Sequence, residues 1–313
     1  MAMERGMSAD RGAVLKGRVS VTRRLKLSKF EGYLFLGPNI LGFLAFTALP
    51  VLASLFLSFT HWDLITPIKY AGVENFWTLL NERLFRTVLW NTTVYVAGTV
   101  PTRIILSLLL AVALNQKLRG ITFFRTAYFM PIVSSAVAVA LVWRWLYNYN
   151  FGLLNSFLWG IGLSSPPDWL NSTFWALPAL MIMNIWRGLG MNMMYFLAGL
   201  QAIPESLYEV AEVDGATWWH KFRYITVPMI TPVTFFVLIT SIIGSYQVFE
   251  EAFVLTRGGP ANATTTIVYY IYNNAFEWFK MGKASALAWI LFAIIFAFTL
   301  LQWKLQKQWV HYE

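Results

Sequence analysis

Six runs of apolar residues, each 20 to 27 long, alternate with short polar stretches along this chain. They fall at about 33–59, 88–114, 122–146, 174–198, 229–249 and 284–303. A bilayer core of about 30 Å is crossed by roughly 20 mostly apolar residues in a helix. The pattern therefore predicts an all-α integral membrane protein with six transmembrane helices. The first run is too long for the apolar stretch of a signal peptide, and no small-residue cleavage site follows it. Helix breakers interrupt several runs: Pro38 and Pro50, Pro101, Pro131, Pro178, then Gly188 and Gly190. Neighbouring spans can satisfy the backbone groups these residues free, and together they suggest helices that line a path.

Charge adds orientation. With the N-terminus inside, fifteen of the 24 Lys and Arg residues fall on the inner side: eight in the tail, three around Lys117–Arg125, Lys221 and Arg223, and two in the C-terminal tail. Lys69, Arg83, Arg86, Arg257, Lys280 and Lys283 fall outside, while Arg103, Arg144 and Arg187 lie within spans. That bias predicts both termini in the cytoplasm. It divides the chain into a basic tail at 1–30, a six-helix domain at 31–305 and a short tail at 306–313. It also explains the net charge of +9 without nucleic acid.

Composition narrows the chemistry. The chain is 58% hydrophobic and 12% charged, against about 25% charged in a soluble domain. Fifteen tryptophans suit the membrane interface. The absence of cysteine excludes disulfides and thiolate metal sites. His61, His220 and His311 are far apart, and no helical H-E-x-x-H motif occurs. There is no phosphate-binding G-x-x-x-x-G-K-[ST] loop, so any ATP binds another chain. No cofactor is expected here, and no enzyme activity.

The inner loop at 201–228, between the fourth and fifth runs, is the most informative stretch. Pro204 and Glu205 suit the first turn of a helix. Leu207, Val210 and Ala211 then share one face, and Glu205, Glu209 and Glu212 another. Gly215 is placed to end this helix. A second short helix at 217–225 brings Trp218, Phe222 and Ile225 to one side before Pro228. Such a hairpin, with apolar anchors beside carboxylates, fits a groove on a partner protein. A helix lying on the membrane is the alternative, and its acidic residues disfavour that against a negative leaflet.

Glu209-Val210-Ala211, three residues, Gly215, nine residues, Ile225, one residue, then Val227-Pro228 resembles the EAA loop of binding-protein-dependent ABC permeases. Val210 and Val227 depart from the usual alanine and leucine. Tyr70 to Phe76, Phe124 to Pro131 and Leu197 to Pro204 are similar to segments of the carbohydrate permeases. Thr256-Arg257-Gly258-Gly259-Pro260 resembles their T-x-G-G-P signature of the first-subunit type, found in maltose, multiple-sugar and glycerol-3-phosphate systems.

The resemblance implies a type I ABC importer permease fold in a bacterial or archaeal cytoplasmic membrane. It implies a second homologous permease subunit, an ATPase dimer carrying ATP and Mg on the cytoplasmic side, and an extracytoplasmic solute-binding protein. Glu209, Val210, Ala211, Asp214, Gly215, Ala216, Phe222, Ile225 and Pro228 would couple to the ATPase. Gly215 would supply the turn and Glu209 a carboxylate for the partner.

Arg103 and Arg187 sit near the middle of their runs, where a cation costs about 2.5–3.5 kcal/mol on insertion scales and normally faces protein or a wet cavity. Structural pairing, with Glu250 or Glu251, competes with contact to solute. Should both arginines face one cavity, an acidic oligosaccharide or phosphorylated polyol gains weight. Arg144, nearer the outer end, is expected to snorkel. Trp186, Tyr195, Tyr246, Phe249 and Glu250 complete the candidates for the solute path, although aromatics in such a chain are more often packing. An ion-coupled secondary transporter would want acidic relays in the spans or a clear internal repeat, and neither is evident. An ABC permease for a non-sugar solute is the other alternative.

Overall fold

The computed structural model describes residues 33–116 and 119–310. The basic tail read at 1–30, Lys117 and the last three residues of the C-terminal tail lie outside them. Helix dominates. Among the described residues the only strands are β1, Thr60–His61, and β2, Lys69–Tyr70, paired antiparallel with Thr60 opposite Tyr70.

Among the described residues, 33–56 belong to one unit and those from Leu57 onward to another. The first unit is built on α1, Tyr33–Ser58, which is apolar and 26 residues long. A π-helical turn at Leu44–Ala48 sits just before Pro50, with the Leu49 N–H reaching back to the Leu44 carbonyl. Proline has no N–H for the carbonyl four residues earlier and crowds it, which favours such a wider turn.

In the second unit α2 spans Glu74–Asn81 and α3 spans Arg83–Leu114. They are followed by α4, Ile121–Val133, α5, Ala136–Leu146, and α6, Leu153–Gly160. Then come α7, Ala176–Ala202, α8, Glu205–Val213, α9, Trp218–Met229, and α10, Thr231–Tyr246. The chain ends with α11, Ile267–Tyr272, and α12, Met281–Gln306.

Besides α1, the helices α3 and α12 are long and apolar enough to cross a bilayer. Two bent pairs, α4 with α5 and α9 with α10, reach the same standard when each is taken together. The third span, expected as one helix at 122–146, breaks after Val133 with a bend of 100°. Pro131 weakens the helix there, and Ser134 and Ser135 take extended backbone before α5 begins. The fifth span bends by 62° where Pro232 has no N–H for the Pro228 carbonyl. The Thr231 hydroxyl donates to that carbonyl instead, at 2.7 Å. The α7 helix is 27 residues long, about 40 Å, but too polar to count with the apolar spans. Asn184, Arg187 and Asn192 interrupt it.

That polar helix is the central one. It packs along most of α3 and also touches α4 and α10. Gly190 makes the α4 contact possible, since a Cβ there would collide with the Tyr128 carbonyl. Apolar layers lie at both ends of α7, around Tyr95, Leu180 and Met183 at one end and Met193, Phe196 and Ile230 at the other. Outward faces stay apolar, with Phe123, Phe292 and Phe296 exposed. Buried Thr99, Ser107, Asn192, Ser241, Ser245 and Glu251 make parts of the interior polar. A soluble domain reverses that arrangement.

Candidate functional site

Two places gather the polar chemistry of the second unit. The first lies inside, where α3 meets α7. Tyr95, Thr99, Arg103 and Ser107 follow one another at intervals of four on α3, and thus line one face. Opposite them α7 presents Asn184, Gly188, Asn192 and Tyr195, again at helical spacing. Arg103 Nη1 donates to Asn184 Oδ1 at 3.1 Å, and Asn184 Nδ2 donates to Glu251 Oε1 at 2.8 Å. Arg187 Nη1 lies 3.8 Å from the same carboxylate oxygen. One amide therefore joins a guanidinium on α3 to a carboxylate beyond α10. Glu251 is only 2% exposed, so its charge depends on these partners. A Cβ on Gly188 would stand 2.7 Å from Arg103 Cδ and Nη1. The missing side chain is what gives the guanidinium its place.

A cavity of about 200 Å³ opens beside this chain, lined by Arg103, Gly188, Asn192, Tyr195, Thr240 and Ser241 among others. Asn192 Nδ2 reaches Ser241 Oγ at 3.3 Å across it.

The second place is the hairpin of α8 and α9. The Gly215 N–H donates to the Glu212 carbonyl at 3.0 Å and the Ala216 N–H to the Ala211 carbonyl at 2.8 Å. That pair of bonds is a Schellman cap, which requires a left-handed residue, and Gly215 has φ +74°. Thr217 then caps α9, its hydroxyl accepting from the His220 N–H. Lys221 Nζ bonds Glu212 Oε1 at 2.6 Å and Tyr208 Oη meets Thr226 Oγ1 at 2.9 Å, so two cross-links hold the helices together. The Lys221 hydrogen bond and charge hold the Glu212 carboxyl below its ordinary value of 4.5. Trp218 and Phe222 stack with ring centres 5.5 Å apart. Val210, Val213, Trp218, Trp219 and Tyr224 are all exposed at this end.

At the other end of the spans, the Thr256–Pro260 segment turns through left-handed Arg257 and Gly258. Threonines fasten it. Thr264 Oγ1 donates to the Gly259 carbonyl at 2.7 Å and Thr265 Oγ1 to the Gly258 carbonyl at 3.1 Å. Asn91 on α3 donates to the carbonyls of Asn262 and Thr265. A cavity of about 400 Å³ beside it includes both Arg144 and Arg257 in its wall.

The structure sorts the residues expected along the path. Arg103 and Tyr195 line the interior cavity. Arg187 joins the charge relay, and Trp186 meets Trp143 edge-on at 5.5 Å. Tyr246 is buried in apolar packing next to Phe298, and Phe249 stacks on Phe253. Glu250 is exposed, and the buried carboxylate is its neighbour Glu251. Asn184, Asn192 and Ser241 were not among the expected residues. Their signal was a polar stripe at helical spacing in an otherwise apolar run. Of the residues expected to couple to an ATPase, Glu209, Val210, Asp214 and Gly215 are exposed, while Ala211, Ala216, Phe222, Ile225 and Pro228 are partly covered.

Residues 89–309 match the family described as binding-protein-dependent transport system inner membrane component. Over 93% of its length the chain is 38% identical to the probable ABC transporter permease protein YesP of Bacillus subtilis (strain 168), covering 95% of that protein. It is 37% identical to the arabinooligosaccharides transport system permease protein AraP of the same organism, over 88% of each chain. A chain from the crystal structure of a bacterial ABC transporter involved in the import of the acidic polysaccharide alginate superposes with TM-score 0.80. That match has 26% identity and covers 91% of this chain and 99% of that one. The fold is thus that of a type I ABC importer permease. The chain belongs to the family of binding-protein-dependent transport system inner membrane components, and it is a membrane-embedded transport subunit.

Proposed function

We propose that this chain is one of two permease subunits of an ATP-driven importer for an oligosaccharide or related polyol. It crosses a bacterial or archaeal cytoplasmic membrane six times with both termini inside, α7 serving as the polar fourth span. A second, homologous permease completes the path, and a solute-binding protein delivers the sugar from outside. ATP and Mg²⁺ bind a separate ATPase dimer.

The observation that carries this reading is the capped hairpin of α8 and α9. It is internally cross-linked by Lys221–Glu212 and Tyr208–Thr226, yet exposes Val210, Val213 and Trp219 to a partner. Rigid parts transmit displacement better than loose ones, so a hairpin gripped by the ATPase would carry its motion through α9 into the bent α10. Relatives named for sugar transport support the solute class. An ion-coupled transporter has less support, because the buried carboxylate Glu251 is engaged by Asn184 and Arg187 and is not a free proton carrier.

Co-purification of the chain expressed with its gene neighbours, followed by ATPase assays in nanodiscs with the binding protein, tests the proposal. An ATPase and a second permease should travel with it, and Glu209→Lys should uncouple or release the ATPase. Purification alone, with transport driven by an ion gradient, would overturn it.

A further inference from the structure

Two arginines approach one carboxylate in the interior, and they are not equivalent. Glu251 Oε1 has Arg187 Nη1 at 3.8 Å and the Asn184 amide at 2.8 Å. Arg103 instead donates to the neutral Asn184 Oδ1, at 3.1 Å, while the Nε of each arginine is buried with no hydrogen-bond partner among the described residues. The three charged groups therefore leave one positive charge in excess. A buried cation whose hydrogen bond goes to a neutral amide is costly within a membrane, and such a residue is a functional-site candidate.

The excess has a direction. Among the described residues Arg103 is the one charged side chain lining the cavity of about 200 Å³, whereas Arg187, Glu250 and Glu251 are not in its wall. The rest of the polar lining is neutral: Asn192, Tyr195, Thr240 and Ser241. Amides and hydroxyls of this kind suit the hydroxyls of a sugar ring, and a guanidinium edge suits a carboxylate. Gly188 keeps that edge in place, because any side chain there would run into it.

We propose that this cavity receives a carboxylate-bearing sugar residue and that Arg103 selects its charge. The proposal rests on the importer reading above. The second permease would enclose the remainder of the solute. Arg187 is then a positioning residue, holding Glu251 so that Asn184 presents its oxygen to Arg103.

The test uses membrane vesicles containing the assembled importer and its binding protein. They are supplied with a mixed pool of neutral and uronate-bearing oligosaccharides of matched length, and mass spectrometry identifies what accumulates. ATP-dependent accumulation should favour the uronate-bearing species by about tenfold or more, the scale of a hydrogen-bonded charge contact. Arg103→Gln should erase that preference and Arg103→Lys should keep most of it. Asn192→Asp, which puts a competing carboxylate in the same cavity, should depress uronate uptake more than neutral uptake and so lower the preference. This variant also serves should Arg103→Gln fail to assemble. Equal accumulation of neutral species, or an unchanged preference in both Arg103→Gln and Asn192→Asp, would overturn the inference and leave the importer intact. No ATP-dependent accumulation of any saccharide would remove the importer reading and this inference with it.

Discussion

Two of the ion pairs among the described residues have similar chemistry and opposite settings. Arg187 and Glu251 meet at 3.8 Å inside the protein, where the carboxylate side chain is 3% exposed. Lys221 and Glu212 meet at 2.6 Å on the α8–α9 hairpin, where the carboxylate side chain is 64% exposed. The shorter pair is the cheaper one to break. Water already solvates Glu212, so the contact with Lys221 replaces good hydration and is screened by salt. Glu251 has lost its water, so removing Arg187 leaves a buried charge with only the Asn184 amide in contact, and removing Glu251 strands the arginine. Distance ranks these pairs in the wrong order, and burial ranks them correctly. In the proposed importer the inner pair would hold the architecture of the path, and the outer one would stiffen the hairpin.

The sharpest break of that contrast is Glu251→Ala. It should destabilise the assembled protein by about 3–5 kcal/mol, read as a fall in thermal unfolding temperature in nanodiscs. The double variant Glu251→Ala with Arg187→Ala should lose less than the sum of the single ones, since the second change removes the stranded charge.

Gly188→Ala comes next. Its Cβ would press on Arg103 at 2.7 Å, at a cost of about 1–3 kcal/mol and with displacement of the guanidinium from Asn184. Solute-dependent ATPase activity should fall while basal activity persists. On the hairpin, Gly215→Ala should cost about 1–2 kcal/mol locally, because φ +74° is left-handed. Faster amide exchange around Gly215 and Ala216, without change in the spans, is the expected reading.

The smallest effect belongs to Glu212→Gln. Because Lys221 lowers the Glu212 pKa from 4.5, the pair's contribution is complete above the unfolded carboxylate's value. It is lost as pH falls through the lower folded value. Wild type and Glu212→Gln should therefore show nearly parallel stability from pH 8 down to about 5 and converge only in more acid solution. Divergence near neutral pH would mean that the hairpin cross-link matters more than its exposure allows.

Much of this contrast is legible in the amino-acid order. The hairpin is written locally: Pro204 and Glu205 open α8, Gly215 closes it, and Thr217 starts α9, each through bonds spanning a few residues. The apolar spans are equally local, being decided by length and composition. The interior relay is different. Asn184 lowers the apolar average of its helix and reads as a defect until Arg103, 81 residues away, reaches its oxygen. Glu250 and Glu251 are adjacent in sequence, and only packing decides that the second is buried. The break after Val133 was hidden as well. Pro131 is tolerated in many membrane helices, and the extended backbone of Ser134 and Ser135 is what turns a kink into a 100° bend.

The central claim is that the exposed end of the α8–α9 hairpin is gripped by the ATPase. The chain has no cysteine of its own, and Val213 is 88% exposed, so Val213→Cys offers a single reactive handle at that end. With the importer assembled in nanodiscs, a short reagent that couples a thiol to an amine should join this position to a lysine of the ATPase subunit, with a yield that changes between nucleotide-free and ATP-bound complexes. A complex that hydrolyses ATP in response to solute yet gives no such product in either state would contradict the claim.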